Sequence, residues 1–107
     1  MKPIVFLGDV LKRVRAFPED VRRTIGHELR DVQFGEEPSD WKSMPSIGPG
    51  VRELRVREAS GAFRVVYVAQ FEEAIYVLHA FQKKTQTTSH TDIDLARSRL
   101  KTIGEKR

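Results

Sequence analysis

The stretch AFRVVYVAQFEEAIYVLHAFQKKTQTT, residues 62–88, decides the fold of this chain. It contains two apolar runs of strand length, and the acidic pair between them is short enough for an antiparallel hairpin. The second run, residues 74–81, is apolar on both faces, which is typical of a central strand. Two lysines, Lys83 and Lys84, follow it directly. A buried strand that ends in two cations predicts a functional site at the end of the sheet.

The rest of the chain predicts helices around further strands. Residues 2–7 and 51–58 have strand-like composition, and the first run of the hairpin is a strand over residues 62–71. Between them, Asp9 is a good N-cap for one amphipathic helix, and a second helix follows Pro18 and ends at Gly35. Residues 36–50 contain three prolines and are predicted to be a loop. A last helix is predicted with Thr91 as its N-cap and Gly104 at its end.

The predicted order is therefore β-α-α-β-β-β-α, in a single domain of residues 1–107. This is an α+β fold: an antiparallel-rich sheet with helices packed on one face and the other face at least partly open. A length of 107 residues suits one domain with a modest core.

Composition excludes several classes of protein. The chain has no cysteine, so disulfides and thiolate metal sites are excluded and a cytoplasmic location is the default. No apolar run approaches the length that spans a bilayer, and the N-terminal apolar run is too short for a secretory signal. The net charge of +4 is weak evidence alone. The cations, however, concentrate on the predicted strands between residues 51 and 88, which suggests a ligand with many negative charges, such as RNA.

No standard catalytic motif is present. The sequence has no glycine-rich phosphate loop, no histidine pair at helical spacing and no Ser-His-Asp or Cys-His set. Neither a metal site nor a cofactor is expected. His79 lies in the predicted central strand, where a structural histidine is favoured over a catalytic one.

The strand arginines can be sorted by alternation. Arg64 interrupts an apolar strand, so it needs open solvent or an anionic partner, for which Glu53 and Glu58 are candidates. On the preceding strand Arg55 and Arg57 share one face, whereas Arg52 lies on the other, near the rim of the loop. Two interpretations stay open for this strand: a ligand-binding row of cations, or a charged edge that prevents aggregation.

The residues around the two lysines favour a nucleotide ligand. A charged pair at the end of a strand is usually only solvated. Here the neighbouring side chains offer stacking and hydrogen-bonding groups suited to nucleotides, and these are Phe81, Gln82, Thr85 and Gln86.

Four segments carry a resemblance to a known family. The sequences ELR (residues 53–55), FRVVY (63–67), YVLHAFQKKTQTT (76–88) and DIDLARSR (92–99) resemble the phage-derived branch of the RelE/HigB toxins. The resemblance covers nearly the whole chain, and the element LHAFQKKTQ is quite specific. It implies the toxin of a type II toxin–antitoxin system, an endoribonuclease that cuts mRNA in the decoding site of the small ribosomal subunit. It also implies a helix-turn-helix antitoxin as partner.

The resemblance also implies which residues carry the reaction. By position they are Arg64, Lys83, Lys84 and Arg55. The charge pattern of the strand, and not the resemblance, adds Arg52 and Arg57 as further RNA contacts. Some members use a histidine or a C-terminal tyrosine as acid or base, but no tyrosine follows Tyr76 here. His79 is the reserve candidate for that role.

A metal-independent mechanism fits these residues as a hypothesis. The 2′-OH attacks the adjacent phosphorus, arginines bind the non-bridging oxygens, and a lysine whose pKa is lowered by neighbouring cations carries a proton. The alternatives are a non-catalytic RNA- or DNA-binding module and an inactive scaffold that only binds the antitoxin.

Overall fold

The computed structural model describes residues 1–85 and 87–106 of the chain. Within them the elements follow in the order β1 (Ile4–Phe6), α1 (Val10–Arg15), α2 (Glu19–Gln33), β2 (Trp41–Ser43), β3 (Val51–Glu58), β4 (Gly61–Val68), β5 (Ile75–Gln82) and α3 (His90–Lys106). The predicted order is confirmed with one addition, β2, which lies in the stretch predicted to be a loop. The structure is a mixed α+β fold.

The strands form one sheet in the order β1-β5-β4-β3-β2. Strands β3, β4 and β5 pair as antiparallel neighbours, as predicted, and β1 adds in parallel to β5. Strand β5 is therefore an interior strand, which its apolar composition predicted. Strand β2 pairs with residues 52–54 of β3. The interpretation of β3 as a charged edge strand is thus wrong for these residues.

The two faces of the sheet are covered differently. One face carries a core shared with α1 and α2, which contains Val65 and Tyr67 of β4. Val66 and Val68, which alternate with them, belong to a second cluster with Ala96 and Ile103 of α3. The expectation of helices on one face therefore holds for α1 and α2, whereas α3 packs on the opposite face. The part of that face which α3 does not occupy carries the strand arginines.

A β-bulge interrupts the pairing of β4 with β5. Val66 is opposite His79, but the next residue, Tyr67, is opposite Val77, so Leu78 is the additional residue. The carbonyl of Leu78 accepts a hydrogen bond of 2.9 Å from the Arg99 guanidinium of α3. The bulge is therefore held by a specific partner.

The predicted ends of α3 are wrong at both termini. Its N-cap is Ser89 and not Thr91, because the Ser89 hydroxyl accepts a hydrogen bond of 3.2 Å from the backbone N–H of Asp92. The helix also continues past Gly104 to Lys106. A glycine alone does not end a helix when the residue is in an exposed position and keeps the helical conformation.

The segment that leads into β2 is fastened to α2. Glu28 is buried, and its carboxylate accepts hydrogen bonds from the Ser39 backbone N–H at 3.0 Å and from the Ser39 hydroxyl at 2.8 Å. A loop rich in proline is thereby fixed near the sheet, which brings residues 41–43 into register with β3.

Replacement of Glu28 tests this attachment. Glu28→Ala leaves the Ser39 N–H without its partner, so the free energy of unfolding should fall by about 1–3 kcal/mol. Urea unfolding measures it. Glu36→Ala, at an exposed position of the same segment, is the matched control and should change the value by less than about 0.5 kcal/mol. Equal effects of the two changes would contradict the attachment.

Candidate active site

Four cations meet on the sheet face that α3 only partly covers. Arg55 of β3 lies directly opposite Arg64 of β4, and Arg57 lies opposite Ala62. The backbone N–H of Lys83 donates to the carbonyl of Ala62 at 2.8 Å, so Lys83 lies beside the same arginines. The structure thus brings together the cations of three strands at one end of the sheet.

A buried carboxylate lies among these cations. Glu53 is 2 % exposed, and its Oε1 lies 3.3 Å from Nε of Arg64 and 3.9 Å from Nε of Arg55. Its Oε2 accepts a hydrogen bond of 2.7 Å from the Thr88 hydroxyl. The ion pair between Arg64 and Glu53 was one of the two pairings predicted from the sequence, and it is confirmed. The tie to Thr88 could not be predicted, since it joins residues 35 positions apart.

Arg64 is the most enclosed of the cations. Its side chain is 3 % exposed, and one guanidinium nitrogen donates to the carbonyl of Phe63 at 3.2 Å. Burial lowers the pKa of the Arg64 guanidinium, and the charge of Glu53 opposes this shift. Arginine nevertheless stays protonated in proteins. Arg64 is therefore a fixed positive charge whose position is set by its surroundings.

Lys83 stands where three cavities meet. The loop cavity, of about 350 Å³, lies between residues 42–46 and the group Glu53, Arg55, Lys83, Thr87, Thr88 and Ile93. The arginine cavity, also about 350 Å³, is lined by Arg57, Ala62, Arg64, Lys83, Lys84 and Thr85. The helix cavity, about 230 Å³, is lined by Phe81, Gln82, Lys83, Lys84, Thr85, Thr87, Ser89 and Asp92.

The surroundings of Lys83 make its ammonium group a stronger acid than that of an ordinary lysine. Burial and then the charges of Arg64 and Arg55 lower the pKa of the Lys83 ammonium, with Glu53 acting in the opposite direction. A lysine with a lowered pKa can give up and take back a proton closer to neutral pH than an ordinary one.

The other predicted contacts are distributed around Lys83. Lys84 and Thr85 are exposed and line the arginine and helix cavities. Gln82 is exposed and borders the helix cavity. Phe81 borders it too but is 9 % exposed and stacks on His79, so most of its ring is already covered. Gln86, also predicted to bind RNA, lies outside the described residues.

Arg52 is separated from this group. It is opposite Tyr67 in the register, on the face covered by α1 and α2. Its guanidinium lies 3.9 Å from the ring centre of Trp41 and 3.5 Å from the Glu37 carboxylate. The structure does not bring Arg52 together with Arg55 and Arg64, because alternation along β3 turns it to the other face.

His79 is withdrawn from all three cavities. It is 1 % exposed, and its Nε2 lies 2.6 Å from Oδ1 of Asp92. The other oxygen of Asp92, Oδ2, accepts a hydrogen bond from the Ser89 hydroxyl at 2.7 Å. Burial lowers the pKa of His79, and the Asp92 carboxylate opposes the shift. A neutral imidazole carries one N–H, and here Nε2 donates it to Asp92. Nδ1 then has no proton to donate, which agrees with its burial without a hydrogen-bond partner. The structure thus supports a structural role for His79 and not the reserve acid or base.

The described residues offer neither a metal site nor a helix that could cross a membrane. Among them, no group of three or more His, Cys, Asp or Glu side chains is arranged to hold a metal ion. Likewise, residues 1–85 and 87–106 contain no helix with the length and apolar character needed to cross a bilayer.

Comparison with solved structures defines the class of fold. The chain is similar to the E. coli toxin RelE in its free state, in a form with two arginines replaced by alanine, with a TM-score of 0.66 and 17% identity over 95% of this chain and 97% of that one. It is similar to the isolated E. coli RelE toxin in a P21 crystal form as well, with a TM-score of 0.61 and 18% identity over 96% and 99% of the two chains. The fold is therefore that of RelE.

The sequence also matches a defined family. Residues 12–101 match the family described as "Phage derived protein Gp49-like (DUF891)". This protein belongs to that phage-derived Gp49-like family, and the resemblance inferred from its sequence segments is confirmed. A comparison with curated proteins gave no match.

The charge environment of Lys83 can be measured directly. In an NMR titration of the lysine side chains, the pKa of Lys83 should lie below the ordinary value of 10.5. Arg55→Gln removes a neighbouring cation and should raise this pKa. Arg23→Gln, at an exposed site on α2, should leave it unchanged. An ordinary pKa of Lys83 that does not respond to Arg55→Gln would contradict the described environment.

The pairing of His79 predicts how stability depends on pH. Because the folded pKa of His79 is lowered from 6.5, the unfolded chain binds a proton on this ring first as the pH falls. Its contribution to stability is therefore present above about pH 6.5 and lost as the pH falls below that value. Urea unfolding between pH 8 and pH 5 should show a smaller loss for His79→Gln than for the unchanged chain. If the free energy of unfolding falls equally with pH in both chains, His79 is not the cause of the loss of stability.

Proposed function

We propose that this chain is the toxin of a type II toxin–antitoxin system and acts as a ribosome-dependent mRNA endoribonuclease. The observation that carries this proposal is the meeting of Arg55, Arg64 and Lys83 around cavities on the free part of the sheet. The Gp49-like family and the RelE fold support the class of protein. The site residues support the chemistry.

The scissile phosphate is assigned to the surface between Arg55 and Arg64, next to Lys83. A phosphodiester that is attacked becomes a phosphorane with additional negative charge, and fixed cations stabilise that charge more than the ground state. Arg64 suits this role because burial and Glu53 hold it in place before RNA arrives. Arg55 has a half-buried guanidinium and can turn toward the phosphate.

The proton transfers are assigned to the two lysines. The 2′-oxygen bonds to phosphorus and the bond from phosphorus to the 5′-oxygen breaks, which gives a 2′,3′-cyclic phosphate and a free 5′-OH. Lys83, in its neutral form, takes the proton of the 2′-OH. Lys84 is exposed and borders the arginine and helix cavities beside Lys83, and it delivers a proton to the leaving 5′-oxygen. No step in this scheme requires a metal.

The partners follow from the same class. The ribosomal decoding site would hold the mRNA in the bent conformation that aligns the 2′-oxygen with the phosphorus, so free RNA should be cut slowly. A helix-turn-helix antitoxin is the expected inhibitor, and its co-expression should restore growth. The proposed site of action is the cytoplasm, where ribosomes translate.

Replacement of Lys83 tests the assignment of the base. Lys83→Met should reduce mRNA cleavage by a factor of about 10²–10⁴, the usual contribution of one general acid or base. Transcript 5′ ends mapped after induction, with and without translation, give the measurement. Lys101→Met, an exposed lysine of α3, is the matched control and should cleave like the unchanged chain.

Each other outcome selects an alternative. If Lys83→Met weakens RNA binding but leaves the cleavage rate at saturation unchanged, Lys83 binds the substrate and is not the base. If the unchanged chain binds RNA but cleaves no transcript, it is a binding module and not a nuclease. If the unchanged chain neither cleaves RNA nor slows growth, it is an inactive scaffold. Arg64→Ala is a poorer test, since it leaves the Glu53 carboxylate buried without its nearest cation and is expected to cost about 3–5 kcal/mol of stability.

A further inference from the structure

The proposed reaction uses the arginine cavity and Lys83 but leaves the loop cavity without a role. The loop cavity touches the same reactive region, because Arg55 and Lys83 form one of its sides. A nucleotide whose phosphate lies against Lys83 would have its sugar and base within reach of this cavity. The proposed function assigns a position only to the phosphate. It does not explain the loop cavity beside that position.

The walls of the loop cavity are fixed before any ligand binds. Two nitrogens of the Arg97 guanidinium, on α3, donate hydrogen bonds to the carbonyl of Ser46. The backbone N–H of Met44 donates to Val51 of β3 at 2.9 Å. Residues 44–46 are therefore tied to the sheet on one side and to a helix on the other. Such a wall keeps its shape in solution.

The walls of the loop cavity include both apolar and polar side chains. Met44, Pro45 and Ile93 present apolar surface, which suits the flat face of a heterocyclic base. Opposite them, Glu53 and Thr88 present oxygen atoms. An ionised carboxylate accepts hydrogen bonds and cannot donate them, and one hydroxyl bond from Thr88 does not exhaust the two lone pairs of Oε2. The polar wall thus favours a ligand that offers N–H donors.

We propose that the loop cavity is a subsite for the nucleobase next to the scissile phosphate, and that it selects bases with an exocyclic amino group. Adenine, cytosine and guanine offer such a donor to Glu53, whereas uracil does not. The inference rests on the proposed function for its substrate, RNA, and adds to it a preference for one base position. Arg55 and Lys83 then bind the phosphate while the cavity holds the base.

Binding of short oligonucleotides tests the subsite without any cleavage. The probes are trinucleotides with 2′-deoxyriboses that carry adenine, cytosine, uracil or no base at one position, with every position examined in turn. Adenine and cytosine at one position should bind about tenfold more tightly than an abasic residue, and uracil should lie between them, because its ring contacts the apolar wall but carries no amino group for Glu53. Isothermal titration calorimetry gives the affinities.

Two variants that fill the loop cavity make the assignment specific. Ser46→Phe and Thr87→Phe place a ring at exposed positions that line it, so each should fold and reduce the ratio between adenine and abasic probes to about one. Thr87 also lines the helix cavity, whereas Ser46 lines only the loop cavity among the three, so Ser46→Phe is the decisive variant. Ser98→Phe, at an exposed position of α3 outside the three cavities, is the matched control and should keep the tenfold ratio.

The outcomes separate this inference from the proposed function. Equal binding of adenine and abasic probes at every position, or an unchanged ratio in both filled variants, would overturn the subsite. Equal binding of uracil and adenine would overturn the selection by Glu53. Base-dependent binding by a chain that cleaves no transcript would refute the nuclease and leave the subsite standing.

Discussion

The site depends on one buried carboxylate in the middle of a sheet. Arg55 and Arg64 are direct cross-strand neighbours, and like charges in that arrangement repel each other. Glu53 lies on the same face of the sheet, within 3.9 Å of both guanidinium groups. Removal of the carboxylate from water is unfavourable in itself, but the adjacent cations and the Thr88 hydroxyl compensate for much of it. Two arginines can therefore stay close together although one of them, Arg64, is almost fully buried.

The same carboxylate joins the two parts of the site. Its Oε1 holds the strand arginines, and its Oε2 holds Thr88, in the segment that connects β5 to α3. That segment begins with Lys83 and Lys84. The Thr88 bond and the backbone bond from Lys83 to Ala62 together place the proposed proton carriers relative to the arginines. A further contact at the other end of the segment, from Ser89 to Asp92 and on to His79, fixes where α3 begins. The site is therefore assembled before substrate binds.

Sequence patterns predicted the main parts of this structure and missed those that depend on contacts between distant residues. The apolar run of β5 predicted its interior position, and alternation placed Arg55 and Arg57 on a shared face apart from Arg52. Strand β2 was missed because its residues have no strand pattern of their own, and the Glu28–Ser39 bonds fix them beside β3. Glu53 was predicted as a candidate partner of Arg64, but its hydrogen bond to Thr88 was missed, because it joins residues that are distant in the sequence. Burial of Phe81 and His79 follows from the packing of α3, which no local pattern describes.

The bulge at Leu78 has a consequence for which residues of β5 can reach the substrate at all. In a regular strand, alternate side chains point to opposite faces of the sheet along its whole length. Without the bulge, Lys83 would therefore lie on the same face as Val77, which α1 and α2 cover. The additional residue reverses this alternation in the middle of the strand. Phe81 and Lys83 therefore lie on the same face of the sheet as Arg64. Arg99, which lines none of the three cavities, donates to the carbonyl of Leu78 and holds the bulge in place. Removal of this one additional residue would thus turn Phe81 and Lys83 toward the side of α1 and α2.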